Sequence, residues 1–216
     1  MIATTPKDKL PSRGDRDSRE AILKVALQLF TQKGYEGTSI EDIRKAAGFK
    51  SKASLYNHFK SKEEVVNALT TRILAQIEKI ILTAYQSATS DPLAQIIAVL
   101  QAFIQWGLTH RQECVFRSIR AHEERMLTGQ YDYQGVNRSV IYPLLPNIIQ
   151  QLRATYPVRQ ITDSALYHMI MGAIYRAILD QNTFGEISIS EQTEQILQVC
   201  LGIIFSKSVT DFSKFS

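Results

Sequence analysis

Residues 38–62 read TSIEDIRKAAGFKSKASLYNHFKSK, which contains two short helical patterns on either side of a glycine-containing turn. Thr38, with Glu41 three residues later, has the pattern of a capping box and predicts the start of the first helix. Gly48 predicts the end of that helix, because glycine readily adopts the left-handed conformation that follows many helices. The second helix is expected over residues 52–59.

This second helix has one apolar face and one small, polar face. At about 100° per residue, Leu55 and Phe59 fall together on the inner side. Ala53, Ser54 and Asn57 fall on the opposite side, where asparagine can bond adenine and an alanine methyl can meet a thymine methyl. Two short helices joined by such a turn, after a longer helix that supplies a core, form a helix-turn-helix unit. In that unit the second helix enters the major groove of DNA.

The excess positive charge of the chain is concentrated around the same unit. The 216 residues carry a net charge of +4. Residues 1–64 contain 13 Lys and Arg against 9 Asp and Glu, whereas residues 65–216 contain 12 of each kind. Between Arg44 and Lys62 there are six basic residues and no acidic one. Such a patch suits a polyanion, since each neutralised phosphate releases counterions, although a solvated basic loop would have the same composition.

Residues 43–49 (IRKAAGF) and 54–64 (SLYNHFKSKEE) resemble the amino-terminal DNA-binding domain of TetR-family transcriptional regulators. The resemblance extends over about residues 17–69 of the chain. It implies base or groove contacts from Lys50, Ser51, Lys52, Ser54 and Asn57, and the outer face adds Ala53. It also implies phosphate contacts from Thr38, Tyr56, His58 and Lys62.

One departure from the family pattern lies in the turn. Eight steps separate Gly48 from Tyr56, where the common pattern has seven. The turn is therefore longer, or the recognition helix starts later, than in most members. This leaves open which of Lys50, Ser51 and Lys52 reads a base.

The organisation around this unit follows from periodicity and caps. Apolar residues recur at helical spacing from Asp17 onward, and Gly34 is expected to end that first helix. Residues 1–16 show no periodicity and predict a flexible basic arm. Ser61 with Glu64 has a second capping-box pattern and predicts a long fourth helix. The expected domains are the arm at 1–16, the helix-turn-helix domain at 17–64, and a helical effector-binding and dimerisation domain at 65–216.

The remaining two thirds of the chain predict further helices and no sheet, because no long window alternates apolar and polar residues. Pro143 and Pro146 are expected to bend or break the helix that contains them. One helix is expected to begin at Asp91-Pro92, a cap followed by a first-turn proline. Four further helices are expected over residues 111–127, 134–156, 162–182 and 190–207. The fold class is therefore all-α, with an amino-terminal three-helix helix-turn-helix domain and a carboxy-terminal helical bundle.

The last two helices are apolar around most of their circumference, which predicts that they are covered on more than one side. We expect them to pair with their symmetry mates in a two-fold four-helix interface, as the resemblance also implies, although burial inside a monomer would explain the same pattern. The expected dimer interface contains Leu166, Ile170, Ala173, Ile174, Ala177, Ile196, Cys200, Ile203 and Ile204.

Aromatic and polar residues interleave in the middle helices, as in the lining of many ligand pockets. The candidates for an effector pocket are Phe103, Trp106, His110, Phe116, His122, Tyr142, Tyr167, Met171 and Tyr175, although aromatic residues at helical spacing are more often core. Arg117, Arg120 and Arg176 could recognise an anionic effector, or could extend from a solvated face.

Several other classes of protein are disfavoured by the sequence. Cys114 and Cys200 lie in apolar helical stretches and predict reduced core thiols in a cytosolic, nucleoid-associated protein. The amino terminus lacks the apolar core of a signal peptide, and no run of eighteen uncharged apolar residues predicts a membrane span. The four histidines are scattered, and no nucleophile elbow, phosphate loop or dinucleotide fingerprint occurs. We therefore expect no catalytic residues, no cofactor and no metal site.

Together these features predict a dimeric transcriptional repressor that a small-molecule effector releases from a near-palindromic operator in double-stranded DNA. The alternative is a DNA-binding protein of the same fold without a small ligand, whose bundle docks another protein.

Overall fold

The structure, a computed structural model, describes residues 13–128 and 141–207, and every regular element within these ranges is helical. The helices are α1 (Arg13–Lys33), α2 (Ile40–Ala46), α3 (Lys52–Tyr56), α4 (Lys62–Ser87), α5 (Pro92–Thr109), α6 (Arg111–Thr128), α7 (Ile141–Thr155), α8 (Asp163–Leu179) and α9 (Ile189–Ile204). A short 3-10 helix, Gln181–Phe184, follows α8, and one isolated antiparallel bridge joins Val158 to Phe205. The prediction of an all-α fold is confirmed.

The chain divides into two compact units, Met1–Thr70 and Thr71–Ser216, and the boundary falls inside α4. Apolar side chains from α1 to α3 and from the first turns of α4 form the core of the first unit. That core contains Ile22, Leu23, Ala26, Leu27, Phe30, Ile43, Leu55, Phe59, Val65, Val66 and Leu69. The inward positions predicted for Leu55 and Phe59 are confirmed.

The start of α1 differs from the prediction. The helix begins at Arg13 rather than Asp17, so residues 13–16 are helical and only residues 1–12 of the expected arm lie outside the described residues. Asp15 lies in the first turn, where a carboxylate interacts favourably with the helix dipole. Its carboxylate oxygen Oδ1 also lies 2.8 Å from Nδ1 of His58, a tertiary contact that no local pattern contains.

The start of α2 is shifted by one residue from the predicted cap at Thr38. The actual cap is Ser39, whose hydroxyl accepts from the Asp42 N–H at 3.1 Å, while the Asp42 carboxylate accepts from the Ser39 N–H at 2.9 Å. Thr38 is only 1% exposed, and its hydroxyl donates to the carbonyl of Gly34 at 2.8 Å. The prediction for Thr38 was wrong because its side chain faces the core, which leaves the next hydroxyl to cap the helix.

The other boundaries in the first unit are close to their predicted positions. Gly34 and Gly48 both adopt positive φ, 74° and 77°. Gly34 directly follows α1, and Gly48 follows Ala47, the C-cap of α2. The second short helix begins at Lys52 as predicted, but it ends at Tyr56 rather than at 59. The Ser61 hydroxyl accepts from the Glu64 N–H at 3.1 Å at the start of α4, as the capping pattern predicts.

In the second unit, α5 is the central helix and packs against α7, α8 and α9, while α6 packs against α8. By length and composition α5 would suffice to cross a bilayer, but most of its residues are buried against these neighbours. Cys114 and Cys200 are buried, and burial raises the pKa of each thiol to about 12.

The prolines were predicted to bend or break their helix, and α7 is not broken by them. Pro143 is the third residue of the described part of α7. Pro146 lies inside the helix, which nevertheless continues to Thr155. Buried Ile148, Ile149 and Leu152 follow, and their packing outweighs the one hydrogen bond that Pro146 cannot donate. Residues 134–140 of the predicted helix lie outside the described residues.

Candidate functional site

The outer face of α3 carries most of the residues predicted to contact bases. Ser51 is the cap of α3, and its hydroxyl accepts from the Ser54 N–H at 3.2 Å and lies 2.8 Å from the Ser54 hydroxyl. Both hydroxyls therefore take part in the cap, and the neighbouring side chains are the ones that project into solvent. Lys50, Ser51, Lys52, Ala53, Tyr56 and Asn57 are exposed, whereas Ser54 is half-buried.

The turn before α3 is braced by Arg44. The Arg44 guanidinium donates to the carbonyl of Phe49, and the Phe49 N–H donates to the carbonyl of Arg44 at 3.1 Å. Arg44 also donates to both carboxylate oxygens of Glu41, at 2.8 and 3.0 Å, and this contact lowers the pKa of that carboxyl. One of the six cations of the basic stretch is therefore paired with an acid just outside it, which the charge count could not reveal.

The end of α3 is held by the first turns of α1. Arg19 donates to the carbonyl of His58 at 2.5 Å, and its guanidinium carbon lies 4.1 Å from the centre of the Phe59 ring. The His58 side chain is 13% exposed, and its Nδ1 faces Asp15. The rings of His58 and Phe49 pack edge to face, with their centroids 5.6 Å apart. His58 is therefore chiefly a packing residue. Sequence reasoning missed Asp15, which it assigned to the flexible arm, and Arg19, which lies outside the apolar face of α1.

Two other predicted phosphate contacts are also engaged within the protein. Thr38 is buried, as described above. The Lys62 ammonium donates to the carbonyl of Tyr35 at 2.8 Å and lies 3.8 Å from the centre of the Tyr35 ring. Lys45, Lys50 and Lys52 are exposed, so they are the more accessible cations of the basic stretch.

A small apolar cavity of about 70 Å³ lies in the second unit among α4, α5, α6, α7 and α8. Four of the predicted effector-pocket residues line it, namely Phe103, Tyr167, Met171 and Tyr175. Sequence reasoning missed the aliphatic wall, because isolated aliphatic residues on separate helices carry no signal of convergence. That wall contains Leu74, Ile77, Ile81, Val99, Leu100, Leu144 and Leu145, and Arg117 is the charged residue that lines the cavity.

The other predicted pocket residues lie elsewhere. The Trp106 ring is buried and stacks between Phe103 and His110, with centroids 6.1 and 5.5 Å apart. Phe116 is buried without lining the cavity, and His110 is exposed at the end of α5. These three do not line the apolar cavity, because helical spacing does not distinguish core from cavity wall, and their contact with an effector stays a prediction. The side chain of Tyr142 lies outside the described residues.

A second, open groove of about 760 Å³ runs between α6 and α8. His122 lines this groove rather than the apolar cavity, together with Arg117, Arg125, His168 and Arg176. Arg120, which was also a candidate for anion recognition, is directed to Glu123 at 2.9 Å and does not line the groove.

The apolar stripe predicted as a dimer interface lies mostly inside one chain. Leu166, Ile170, Ile174, Ile196, Cys200 and Ile204 are each at most 3% exposed, while Ala173, Ala177 and Ile203 are half-buried. The six buried residues pack within one chain, because α8 and α9 use them against α5 and against each other. Their place in an interface between two copies stays a prediction. The most exposed apolar side chains of these helices are Met169 and Val199, at 55% and 57%, beside the exposed Gly172 and Gly202; Leu179 and Ile189, at the helix ends, are also exposed.

The sequence of this chain is similar to those of bacterial transcriptional regulators. The family described as bacterial regulatory proteins, tetR family, matches residues 22–69. The chain is 26% identical over 138 residues to the HTH-type transcriptional regulator AcrR of Shigella flexneri, with 64% of each chain covered. It is 27% identical over 187 residues to the HTH-type transcriptional repressor KstR2 of Mycolicibacterium smegmatis, covering 85% of this chain and 89% of KstR2. The match thus spans a little under two thirds of AcrR and most of KstR2.

Comparison with solved structures gives the same fold. The ketosteroid transcriptional regulator KstR2 of Mycobacterium tuberculosis superposes with a TM-score of 0.72 at 22% identity, covering 92% of this chain and 98% of that one. AibR in complex with isovaleryl coenzyme A and operator DNA superposes with a TM-score of 0.66 at 19% identity, covering 84% and 97%. At these identities the superpositions show the fold alone.

Proposed function

The chain belongs to the TetR family of bacterial transcriptional regulators, and from this premise we propose that it is a dimeric repressor that a small-molecule effector releases from its operator. The observation that carries the proposal is the outer face of α3. Buried Leu55 fixes this helix in the core of the first unit, and exposed Lys52, Ala53 and Asn57 project away from it. Such a face suits the major groove of DNA.

The proposed contacts divide by chemistry. Asn57 and Ala53 are the proposed base readers, since an amide can bond adenine in two places and a methyl can meet thymine. Exposed Lys50 and Lys52 lie beside the Ser51 cap and can reach phosphates or base edges. Lys45 adds a cation at the end of α2, a position that suits contact with the DNA backbone.

We propose that the two recognition helices come from two copies of the chain. The exposed apolar residues Met169 on α8 and Val199 on α9 support pairing through the outer faces of these helices. An added Cβ at Gly172 or Gly202 would meet no atom within 4 Å, so both glycines lie on an open surface that a second helix could approach closely. A two-fold dimer requires two half-sites about one or more helical turns apart, and therefore a near-palindromic operator.

The cavity in the second unit supports a small-molecule effector over the alternative of a docked protein. A concave apolar space with a few polar groups is the usual form of a ligand site. AibR was crystallised with isovaleryl coenzyme A and operator DNA, and the relative from Mycolicibacterium smegmatis is named as a repressor. An effector that prefers a conformation with wrongly spaced recognition helices would weaken operator binding, with a typical coupling of about 1 to 3 kcal/mol.

The proposal is tested by selecting duplexes from a random library with the purified full chain, followed by fluorescence anisotropy on the selected and scrambled duplexes. We expect a near-palindromic consensus, tighter binding to the selected duplex, and affinity that falls steeply with salt. No retention of any duplex at low salt would overturn the function.

The dimer is tested separately by sedimentation. Val199→Glu places a carboxylate on the proposed interface and is expected to shift the chain from dimer to monomer at micromolar concentration. Ile119→Glu is the matched control, because Ile119 is an exposed apolar residue on α6. A wild-type monomer, or equal effects of the two substitutions, would contradict the proposed interface.

A further inference from the structure

The turn between α2 and α3 is held in place by the side chain of Arg44. Its guanidinium donates from Nε and Nη2 to the two carboxylate oxygens of Glu41, at 3.0 and 2.8 Å. Its third nitrogen, Nη1, donates to the carbonyl of Phe49. The backbone closes the same turn, since the Phe49 N–H donates to the carbonyl of Arg44 at 3.1 Å. Glu41 therefore orients a guanidinium that fixes the first residue after Gly48.

The two residues on either side of Lys50 are both anchored. Phe49 is held by these two backbone hydrogen bonds and by the packing of its ring against His58. Ser51 is the cap of α3, and its hydroxyl accepts from the Ser54 N–H at 3.2 Å. Lys50 lies between these anchors and is exposed. Its backbone thus has a defined position, from which a flexible four-carbon stem carries the ammonium outward.

Lys52, on the other side of the cap, is placed differently. It lines a small cleft between α2 and α3 together with Glu41 and Tyr56. The pKa of Glu41 is lowered chiefly by its hydrogen bond from Arg44, and the positive charge of Lys52 contributes as well. Because the Lys52 ammonium lies in the field of a carboxylate, Lys50 is the better placed of the two lysines to donate to a base.

The length of this turn gives Arg44 a particular task. Eight steps separate Gly48 from Tyr56, one more than in the common pattern of the family, and Lys50 lies in the lengthened part. An additional turn residue increases the number of backbone conformations that must be restricted when the turn is ordered. A planar guanidinium bound to a carboxylate and to a backbone carbonyl restricts them, because its donors have a fixed relative geometry.

Resting on the DNA-binding function proposed above, we propose that Arg44 is a positioning residue that holds Lys50 where its ammonium reads a guanine in the major groove. Lysine recognises the O6 and N7 acceptors of guanine, a pair that no other base presents in that groove. In this arrangement the Arg44 guanidinium stays bound to Glu41 and Phe49 and does not contact DNA. It determines how strictly Lys50 discriminates between bases.

Substitution of Lys50 tests which base is read. Duplexes are selected from a random library with the full natural chain and with the Lys50→Gln variant. We expect one guanine in each half-site of the natural consensus to become adenine, because a glutamine amide bonds the N6 and N7 groups of adenine. Lys50 is exposed, so the change leaves the core intact. The same consensus for both proteins would overturn the assignment of Lys50.

A matched pair of substitutions on α2 tests the positioning role. Arg44→Lys keeps the positive charge but removes the fork of donors. The salt dependence of binding should therefore stay the same, while the preference for guanine at the Lys50 position falls by about tenfold. Lys45→Ala, at the adjacent exposed residue, should give the opposite result: a salt slope lower by about one and an unchanged preference. Anisotropy on the selected duplex and its single-base variants measures both quantities.

A double substitution separates positioning from stability, because Arg44→Lys also removes contacts within the first unit. In the Lys50→Ala background no ammonium is left to position, so Arg44→Lys should not reduce the base preference further, even when the melting temperature falls. A further loss of preference of the same size would overturn the positioning role. An equal loss of affinity on all duplexes in the Arg44→Lys single variant would overturn it as well.

Failure of this inference is distinguishable from failure of the proposed function. If the natural chain retains no duplex at low salt, the proposed DNA-binding function itself fails. If the chain selects a consensus whose base preferences do not respond to substitution of Lys50 or Arg44, the function stands and the roles of these two residues are refuted.

Discussion

The two units of this chain organise their candidate sites differently. In the first unit, the outer face of α3 is set by neighbours in sequence: Ser51 caps the helix, Leu55 anchors it, and Lys52 to Asn57 follow within two turns. In the second unit, the cavity takes its wall from five helices, α4 to α8, and no short stretch of sequence contains it. A site built locally can be recognised from spacing, whereas a site built by convergence depends on packing.

The largest expected effect tests whether the first unit depends on its own core. Phe59→Ala removes a fully buried ring that also contacts the Arg19 guanidinium, and it should lower the free energy of unfolding of this unit by about 3 to 5 kcal/mol. Hydrogen exchange should then show faster exchange in α1 to α3, with unchanged protection in α5. Equal loss of protection in both units would mean that they do not unfold separately.

The next effect concerns base reading by the locally built face. Asn57→Ala should relax the preference at one base pair and cost about 1 to 3 kcal/mol on the selected duplex, with little change on a scrambled one. Anisotropy on single-base variants of the operator measures this difference. If the selected and scrambled duplexes lose affinity equally, Asn57 does not read a base.

A smaller effect on DNA binding should distinguish lysines that are exposed to solvent from lysines that already bind other groups of the protein. Lys45→Ala, at an exposed cation proposed to contact the DNA backbone, should weaken binding almost equally on all duplexes and lower the slope of log Kd against log salt by about one. Lys62→Ala should lower the slope less and also reduce the melting temperature, because the Lys62 ammonium is bound to the carbonyl and ring of Tyr35. A full loss of one unit of slope in the Lys62 variant, without loss of stability, would restore it as a phosphate contact.

The smallest expected effect concerns one capping box in each unit, Ser39 with Asp42 at the start of α2 and Ser188 with Glu191 at the start of α9. Hydrogen bonds from Ser39 lower the pKa of Asp42 in the first unit, and hydrogen bonds from Ser188 lower the pKa of Glu191 in the second. Because each folded pKa lies below its unfolded value, the stabilisation is fully present above the unfolded pKa, near 3.8 and 4.5, and is lost as the pH falls through the folded pKa.

Ser39→Ala should therefore cost about 1 kcal/mol at neutral pH and less under acidic conditions, measured by denaturant titration at pH 7 and pH 3. Ser188→Ala should behave in the same way, with the loss confined to the second unit. A cost that does not change with pH in either variant would contradict the role of the carboxylate.

The sequence predicted the all-α fold, the helix-turn-helix unit and the buried Leu55 and Phe59, because these follow from local periodicity. The cap of α2 was misplaced by one residue because two adjacent hydroxyls match the pattern, and only tertiary burial shows that Thr38 faces inward. The role of Asp15 was missed for a related reason, since its partner His58 is distant in sequence.

The candidate sites of the second unit were less accessible to sequence reasoning. A helix that is apolar on every side does not indicate which residues face its own chain, so buried Ile170 was expected at the interface where exposed Met169 is the better candidate. Four of the twelve residues that line the cavity were predicted from the sequence, while the cationic groove forms only when two helices lie side by side.

The burial of both native thiols has a practical consequence. With a pKa of about 12, Cys114 and Cys200 are ionised in only about one molecule in 10⁵ at pH 7. Maleimide reagents, which react with thiolates, would leave them unmodified in the folded protein. A single cysteine engineered beside α3 could therefore carry a fluorophore or spin label in the otherwise natural chain. In the proposed dimer, the distance between the two labels would test whether an added compound changes the separation of the recognition helices.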